Sequence, residues 1–342
     1  MGGRDALKVD GAVSSQLADV ADTAARLQRR GYDCCWTAEI NHDPFLPLVL
    51  AAEHTTTIEL GTSIAVAFAR TPMTVANIGW DLQTYSHGRF ILGLGSQIQR
   101  HIENRFSMPW SRPVARMREF VLALHEIWSC WQDGTKLAFE GDFYTHKLMT
   151  PMFTPEPLAH EVPKVFVAAV GEAMTEMSGE VADGLLAHAF TTKRYFEEVT
   201  TPALMRGLQR SGRKRADFAV SCPIFVVTGN DDAEVAANAA GTRKQVAFYA
   251  STPAYRKVFE LHGWGDLQTE LHRMSHAGKW DQMGTLIDDD ILNEFAVVAP
   301  VHDVAKRVRE RCDGVIDRVL VGFPASIEEA TVAAVVQQMR TT

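Results

Sequence analysis

Leu82 to Gln97 reads Leu-Gln-Thr-Tyr-Ser-His-Gly-Arg-Phe-Ile-Leu-Gly-Leu-Gly-Ser-Gln, and this stretch leaves few folds open. A helix closes at Ser86-His87, with Gly88 as its left-handed stop. Arg89-Phe90-Ile91-Leu92 then forms a short strand that breaks into Gly93-Leu94-Gly95-Ser96. An apolar run without alternation suits a parallel strand covered on both faces. Glycines at its carboxyl end let a ligand approach the backbone. The stretch is therefore one βα repeat ending at a binding site.

The same grammar recurs along the chain. Lys8 to Val13 reads as strand one, and Ser14 or Ser15 caps a helix carrying Leu17, Val20, Ala24 and Leu27 at helical spacing. Gly31 ends it, and Tyr32 to Glu39 forms strand two. Asp43-Pro44 and Thr71-Pro72 each pair an N-cap residue with proline at the first helical position. Ile58 to Val66 is strand three, and Pro109 to Asp133 holds a long amphipathic helix. Strands five to eight fall at Lys164–Val170, Leu185–Phe190, Phe218–Thr228 and Arg318–Phe323. Eight strands alternating with helices predict a (β/α)8 barrel in a single domain over residues 1–342, with insertions at about 134–163 and 242–295. The competing arrangement, an open doubly wound sheet, would place a G-x-G-x-x-G turn after strand one, and none is there.

Composition narrows the function. A net charge of −8 argues against general binding to nucleic acid or anionic lipid. No apolar run approaches the roughly 18 residues of a membrane span, and Met1 to Lys8 lacks the apolar region of a signal peptide. A cytoplasmic protein is expected. Cys34, Cys35, Cys130, Cys222 and Cys312 show no zinc spacing and read as buried thiols. The scattered histidines form no His-Glu-x-x-His or facial triad, so no metal is expected.

The Ser-x-Gly-Arg-Phe-Ile-Leu-Gly-x-Gly-Ser signature at Ser86–Ser96 resembles that of the bacterial-luciferase-like flavin and deazaflavin oxidoreductases. The likeness extends over the chain through Asp43-Pro44, Gly61-Thr62-Ser63, the Phe139-x-Gly-x-Phe-Tyr hairpin and the Pro-rich approach to strand five. It implies a (β/α)8 barrel working at the carboxyl ends of its strands, and a cis peptide at Ser63–Ile64 behind the ring of the cofactor. The branch using coenzyme F420 is nearest, with FMN as the alternative. The resemblance implies an oxidoreductase passing a hydride between F420 and a small organic substrate; the alternatives are an FMN-dependent monooxygenase or a non-catalytic cofactor-binding barrel. It also implies a homodimer, for which the row Phe45, Leu46, Leu48, Val49 and Leu50 supplies apolar surface.

Candidate catalytic groups are Glu39, His42 and His188. Candidate cofactor-binding residues are Asn41, Thr62, Ser63, Ile64, Gly95 and Ser96. Ala168-Ala169-Val170-Gly171-Glu172 follows strand five as a phosphate-approaching turn. Arg100 with Arg105, or Lys193 with Arg194, would meet the anionic tail. Two departures stand out. Ile40 occupies the position of a histidine found in some deazaflavin dehydrogenases, and Gln97, Ile98 and Gln99 stand where those enzymes place a glutamate. Both argue against a sugar-phosphate dehydrogenase mechanism.

Overall fold

A computed structural model describes residues 6–341. Eight parallel strands close on themselves: β1 (Lys8–Ala12), β2 (Cys34–Thr37), β3 (Glu59–Thr62), β4 (Phe90–Gly95), β5 (Lys164–Ala169), β6 (Gly184–Ala187), β7 (Ala219–Pro223) and β8 (Arg318–Leu320). Each pairs with its neighbour in chain order, and β8 returns to β1 through Val9 opposite Val319. Closure removes the sheet edges. β3 resumes at Ala65–Val66 after a two-residue break and lies alongside Leu94 and Gly95 of β4. The surrounding helices include α1 (Leu17–Arg29), α2 (Leu46–Glu53), α3 (Pro72–Tyr85), α4 (Pro113–Asp133), α5 (Glu172–Val181), α6 (Thr201–Ser211), α7 (Val304–Cys312) and α8 (Glu329–Arg340).

Local chemistry sets the element ends. The Thr71 hydroxyl accepts from the N–H of Thr74, and Pro72 opens α3 as expected. Gly88 has φ +81° and donates its N–H to the carbonyl of Gln83. Asp43 also caps, accepting from Phe45 and Leu46, but α2 starts later than Pro44, at Leu46. No serine side chain caps α1, because Ser14 bonds the N–H of Gln16 ahead of the first turn.

Successive residues of β2 face opposite ways. Cys34 joins Trp36, Ile91, Phe166 and Leu186 inside the barrel, whereas Cys35 packs between barrel and helices. Across the amino-terminal end, Arg318 donates to both oxygens of Asp10 at 2.9 Å and lies 2.7 Å from Glu59. Trp36 adds a 2.9 Å bond to Asp10, and Lys8 reaches Glu59 at 3.1 Å. Burial alone would favour a neutral Arg318; the carboxylates of Asp10 and Glu59 outweigh it and hold the guanidinium charged.

Two expectations need correcting. β4 does not break at Gly93 but continues to Gly95. The long seventh strand is two strands: β7 stops at Pro223, and Phe225–Val227 pairs instead with Ala296–Val298. Between these two segments lie helices Asp232–Ala250, Arg256–Leu261, Gly265–His276 and Asp289–Phe295. They build their own apolar cluster around Phe259, Leu271 and Phe295, which takes in Phe190 and Tyr195 from the loop after β6. The insertion is thus anchored on the carboxyl side of β6. The hairpin Phe139–Glu140 with Thr145–His146 is held by Glu119, whose carboxylate accepts from the N–H groups of Asp142, Phe143 and Tyr144.

Candidate functional site

The carboxyl ends of β3 to β6 form one contiguous half of the mouth. The bond between Ser63 and Ile64 is cis. Ile64 is half-buried and packs against the barrel interior, with Ala168 of β5 on the same cluster. Ladder register sets Gly95 in the row of Ala168 and Leu186, and carrying it two residues further sets Val170 beside His188. Val170, Ile98 and Ile40 are exposed apolar residues at the ends of β5, β4 and β2. Three apolar side chains thus stand on the rim among polar neighbours.

The glycines do something other than admit a ligand. A Cβ on Gly93 would lie 1.7 Å from the carbonyl oxygen of Thr62, and one on Gly95 would lie 2.7 Å from the Ile64 side chain. The buried Thr62 hydroxyl bonds both the carbonyl and the N–H of Gly93, at 2.7 and 2.9 Å. Thr62 thus ties β3 to β4 and has no free hydroxyl for a ligand. Gly171 is different: a Cβ there meets nothing within 4 Å. It precedes the first turn of α5, and no side chain caps that turn. The free N–H groups of the turn favour an anion. Glu172 beside it is exposed and paired with Lys257, 3.3 Å away, and Arg206, 3.5 Å away.

Glu39 sits at the mouth but is already engaged. Its carboxylate accepts from the N–H of Val66 and from Arg70, both at 2.7 Å, while its own N–H donates to the carbonyl of Ile64. Both bonds fall on Oε2, so Glu39 braces the strand extension with one oxygen and keeps Oε1 without a protein partner among the described residues. Arg70, which also reaches Asp43 at 3.3 Å, is a member of the site that the sequence reading missed. Its only sequence signal is a cation at the end of a strand–cap junction. Asn41 and His42 are exposed on the loop after β2, and His42 Nε2 lies 3.2 Å from the Gln16 amide. Ser96 bonds the carbonyl of Gln97, a residue with φ +60°.

Three of the four cations expected to meet the tail are engaged by other groups of the protein. Lys193 donates to the carbonyl of Glu310 in the last turn of α7, the turn leading into the start of β8, and Arg194 pairs with Glu198. Both therefore serve the outer helix layer. Arg105 donates to the carbonyl of Ile40 and stacks on Phe106. Arg100 is exposed.

His188 follows β6 with the parity of Leu186 and so continues the inward-facing row. Its Nδ1 accepts the N–H of Phe190 at 3.0 Å, which leaves the proton of the neutral ring on Nε2. Burial pushes its pKa down to about 4. Two insertion side chains flank it: Tyr255 stacks on the ring with centroids 4.8 Å apart, and Tyr249 meets it edge-on at 4.7 Å. Among the described residues, no group of three or more His, Cys, Asp or Glu could hold a metal ion, and no helix is long and apolar enough to cross a membrane.

A closed (β/α)8 barrel with its candidate site at the carboxyl ends of the strands sets the fold class. The profile of the luciferase-like monooxygenase family matches residues 5–318, and the chain belongs to that family. An uncharacterized protein of Mycobacterium tuberculosis is 66% identical over 98% of both chains. A 5,10-methylenetetrahydromethanopterin reductase of Archaeoglobus fulgidus is 25% identical over 86% of each chain. The solved coenzyme F420-dependent tetrahydromethanopterin reductase of Methanopyrus kandleri shares the fold, with a TM-score of 0.78 at 20% identity over 98% of both chains.

Proposed function

We propose that this protein is an oxidoreductase that transfers a hydride between coenzyme F420 and a small organic substrate. The observation that carries the reading is the half of the mouth from β3 to β6, where an apolar shelf of Ile64, Ala168 and Val170 leads to the open, uncapped start of α5. A planar ring system fits the shelf, and an anionic group fits the free N–H groups at Gly171 and Glu172. A putative coenzyme F420-dependent oxidoreductase of Mycobacterium tuberculosis, 26% identical over 84% of this chain, favours this cofactor over FMN.

When bound, the coenzyme supplies the hydride. The protein's residues position it and manage water and protons. Glu39 and Arg70 fix the strand extension that carries Ile64. The insertion covers His188 with Tyr249 and Tyr255, which shields that side of the mouth from water. A ring that stays neutral at pH 7 acts as a hydrogen-bond donor through Nε2 rather than as a proton store. His42 stands exposed at the rim, with Nε2 against the Gln16 amide.

The reading is tested by anaerobic turnover of reduced F420 with a panel of aldehydes and ketones. Oxidation of one cofactor per alcohol formed is expected. Consumption of dioxygen with reduced FMN, and no reaction of F420, would instead make the protein a monooxygenase. No turnover with either cofactor, despite binding, would make it a non-catalytic barrel.

A further inference from the structure

His188, Tyr249 and Tyr255 come from two parts of the chain, the end of β6 and the insertion, and the fold packs their rings together. Tyr249 and Tyr255 lie 6.0 Å apart, edge to face, with the imidazole against both. Phe190 and Phe225 close the outer side of the group, at 6.1 and 6.4 Å from Tyr249. All three polar residues are partly exposed. Among the described residues, neither phenol oxygen has a hydrogen-bond partner, and His188 uses only Nδ1. None of the three heads is among the buried side-chain atoms without a partner, so they are open to a ligand from the mouth. His188 on the inward row of β6, with the two insertion phenols packed against its ring, has the form of a ligand subsite.

We infer that His188 Nε2–H and the hydroxyls of Tyr249 and Tyr255 bind an uncharged oxygen, the carbonyl or hydroxyl oxygen of an apolar substrate. The inference rests on the oxidoreductase reading and names its substrate class. The charge state of the cluster supports it. Burial, and then the neighbouring Tyr249, push the Tyr255 phenol up to about 12, and burial keeps the imidazole neutral. The two cations after Tyr255 are already paired, Arg256 with Glu260 and Lys257 with Glu172. A carboxylate or phosphate placed here would give up its hydration to neutral donors alone. A ketone, aldehyde or alcohol loses little and gains up to three hydrogen bonds.

The experiment uses protein labelled with 15N-histidine and 13Cζ-tyrosine, with and without F420 added. It is titrated with cyclohexanone, with methylenecyclohexane and with cyclohexanecarboxylate. Cyclohexanone should shift the resonances of His188 Nε2 and of both tyrosines, while the other two leave them in place. The Tyr249→Phe/Tyr255→Phe double variant should bind cyclohexanone about tenfold more weakly, the loss of two ordinary hydrogen bonds. Its F420 affinity by dialysis and its melting temperature should be unchanged. Equal responses to the ketone and the alkene, no response to any probe, or undiminished ketone binding in the double variant would overturn the assignment. Ketone binding without F420 binding would leave the subsite standing and remove the cofactor reading instead.

Discussion

Gly93 and Gly171 show what a single Cβ decides. Gly93 lies in β4 where a methyl group would collide with the Thr62 carbonyl oxygen, a backbone atom that cannot step aside. Gly93→Ala is expected to cost about 3 kcal/mol or more, or to prevent folding. Gly171 has an ordinary φ of −98° and open space around it. Gly171→Ala should change stability by less than about 0.5 kcal/mol. Urea titration of both variants checks the contrast, and a well-folded Gly93→Ala would contradict the strand packing. His188 gives the pH counterpart. Its folded-state pKa near 4 lies below the usual histidine value, so between about pH 6.5 and 4 the unfolded chain binds a proton that the folded chain refuses. Stability must therefore fall as pH drops through that window, and His188 adds no pH dependence above it. Burial lowers His125, His146 and His262 in the same direction. The melting temperature should decline from pH 7 to pH 4.5, and less steeply in His188→Phe. An identical slope in the variant would show that His188 is not held neutral.

Among the elements, β8 carries the largest electrostatic stake. Arg318→Met would leave Asp10 buried with only Trp36 as a partner, which is expected to cost about 3–5 kcal/mol. Adding Asp10→Asn should recover part of that, and a loss under about 1 kcal/mol in the single variant would contradict the buried pairing. The pairing itself was not legible in the sequence, because Asp10 and Arg318 are 308 residues apart and meet only when the barrel closes. The strands themselves were legible: unbroken apolar runs between glycine stops mark parallel strands, and Thr71-Pro72 marks a helix start without tertiary help. Boundaries failed where tertiary pairing overrode local signals. Gly93 and Gly95 resemble a strand end until Thr62 and Ile64 fill the space beside them. Phe218 to Thr228 reads as one apolar strand, yet Phe225 leaves the barrel to pair with Ala296. The site was legible as loops but not as contacts. Glu39 stands at the mouth as expected, while the Arg70 that occupies its carboxylate, and the tyrosines that cover His188, come from distant segments whose proximity no spacing records.

At the scale of the whole molecule, α2 and α3 leave an apolar groove of about 820 Å³ on the outside of the barrel, walled by Phe45, Leu46, Val49, Ile78 and Tyr85. Leu46 and Val49 are 57% and 42% exposed, more than a barrel wall needs. A second copy of the chain is the expected occupant, through a two-fold contact of like surfaces. Sedimentation at micromolar concentration should give a dimer, and Leu46→Glu/Val49→Glu a monomer; a monomeric parent chain would contradict the expectation. The central claim concerns the mouth of the barrel, where the proposed cofactor site from β3 to β6 joins an apolar shelf to the uncapped start of α5. Equilibrium dialysis of the purified chain against F420 and FMN in parallel tests it most directly. Saturable binding of F420 at one site per chain, tighter than FMN and weakened by rising salt, is the predicted result. Tight FMN binding with no retention of F420 would contradict it.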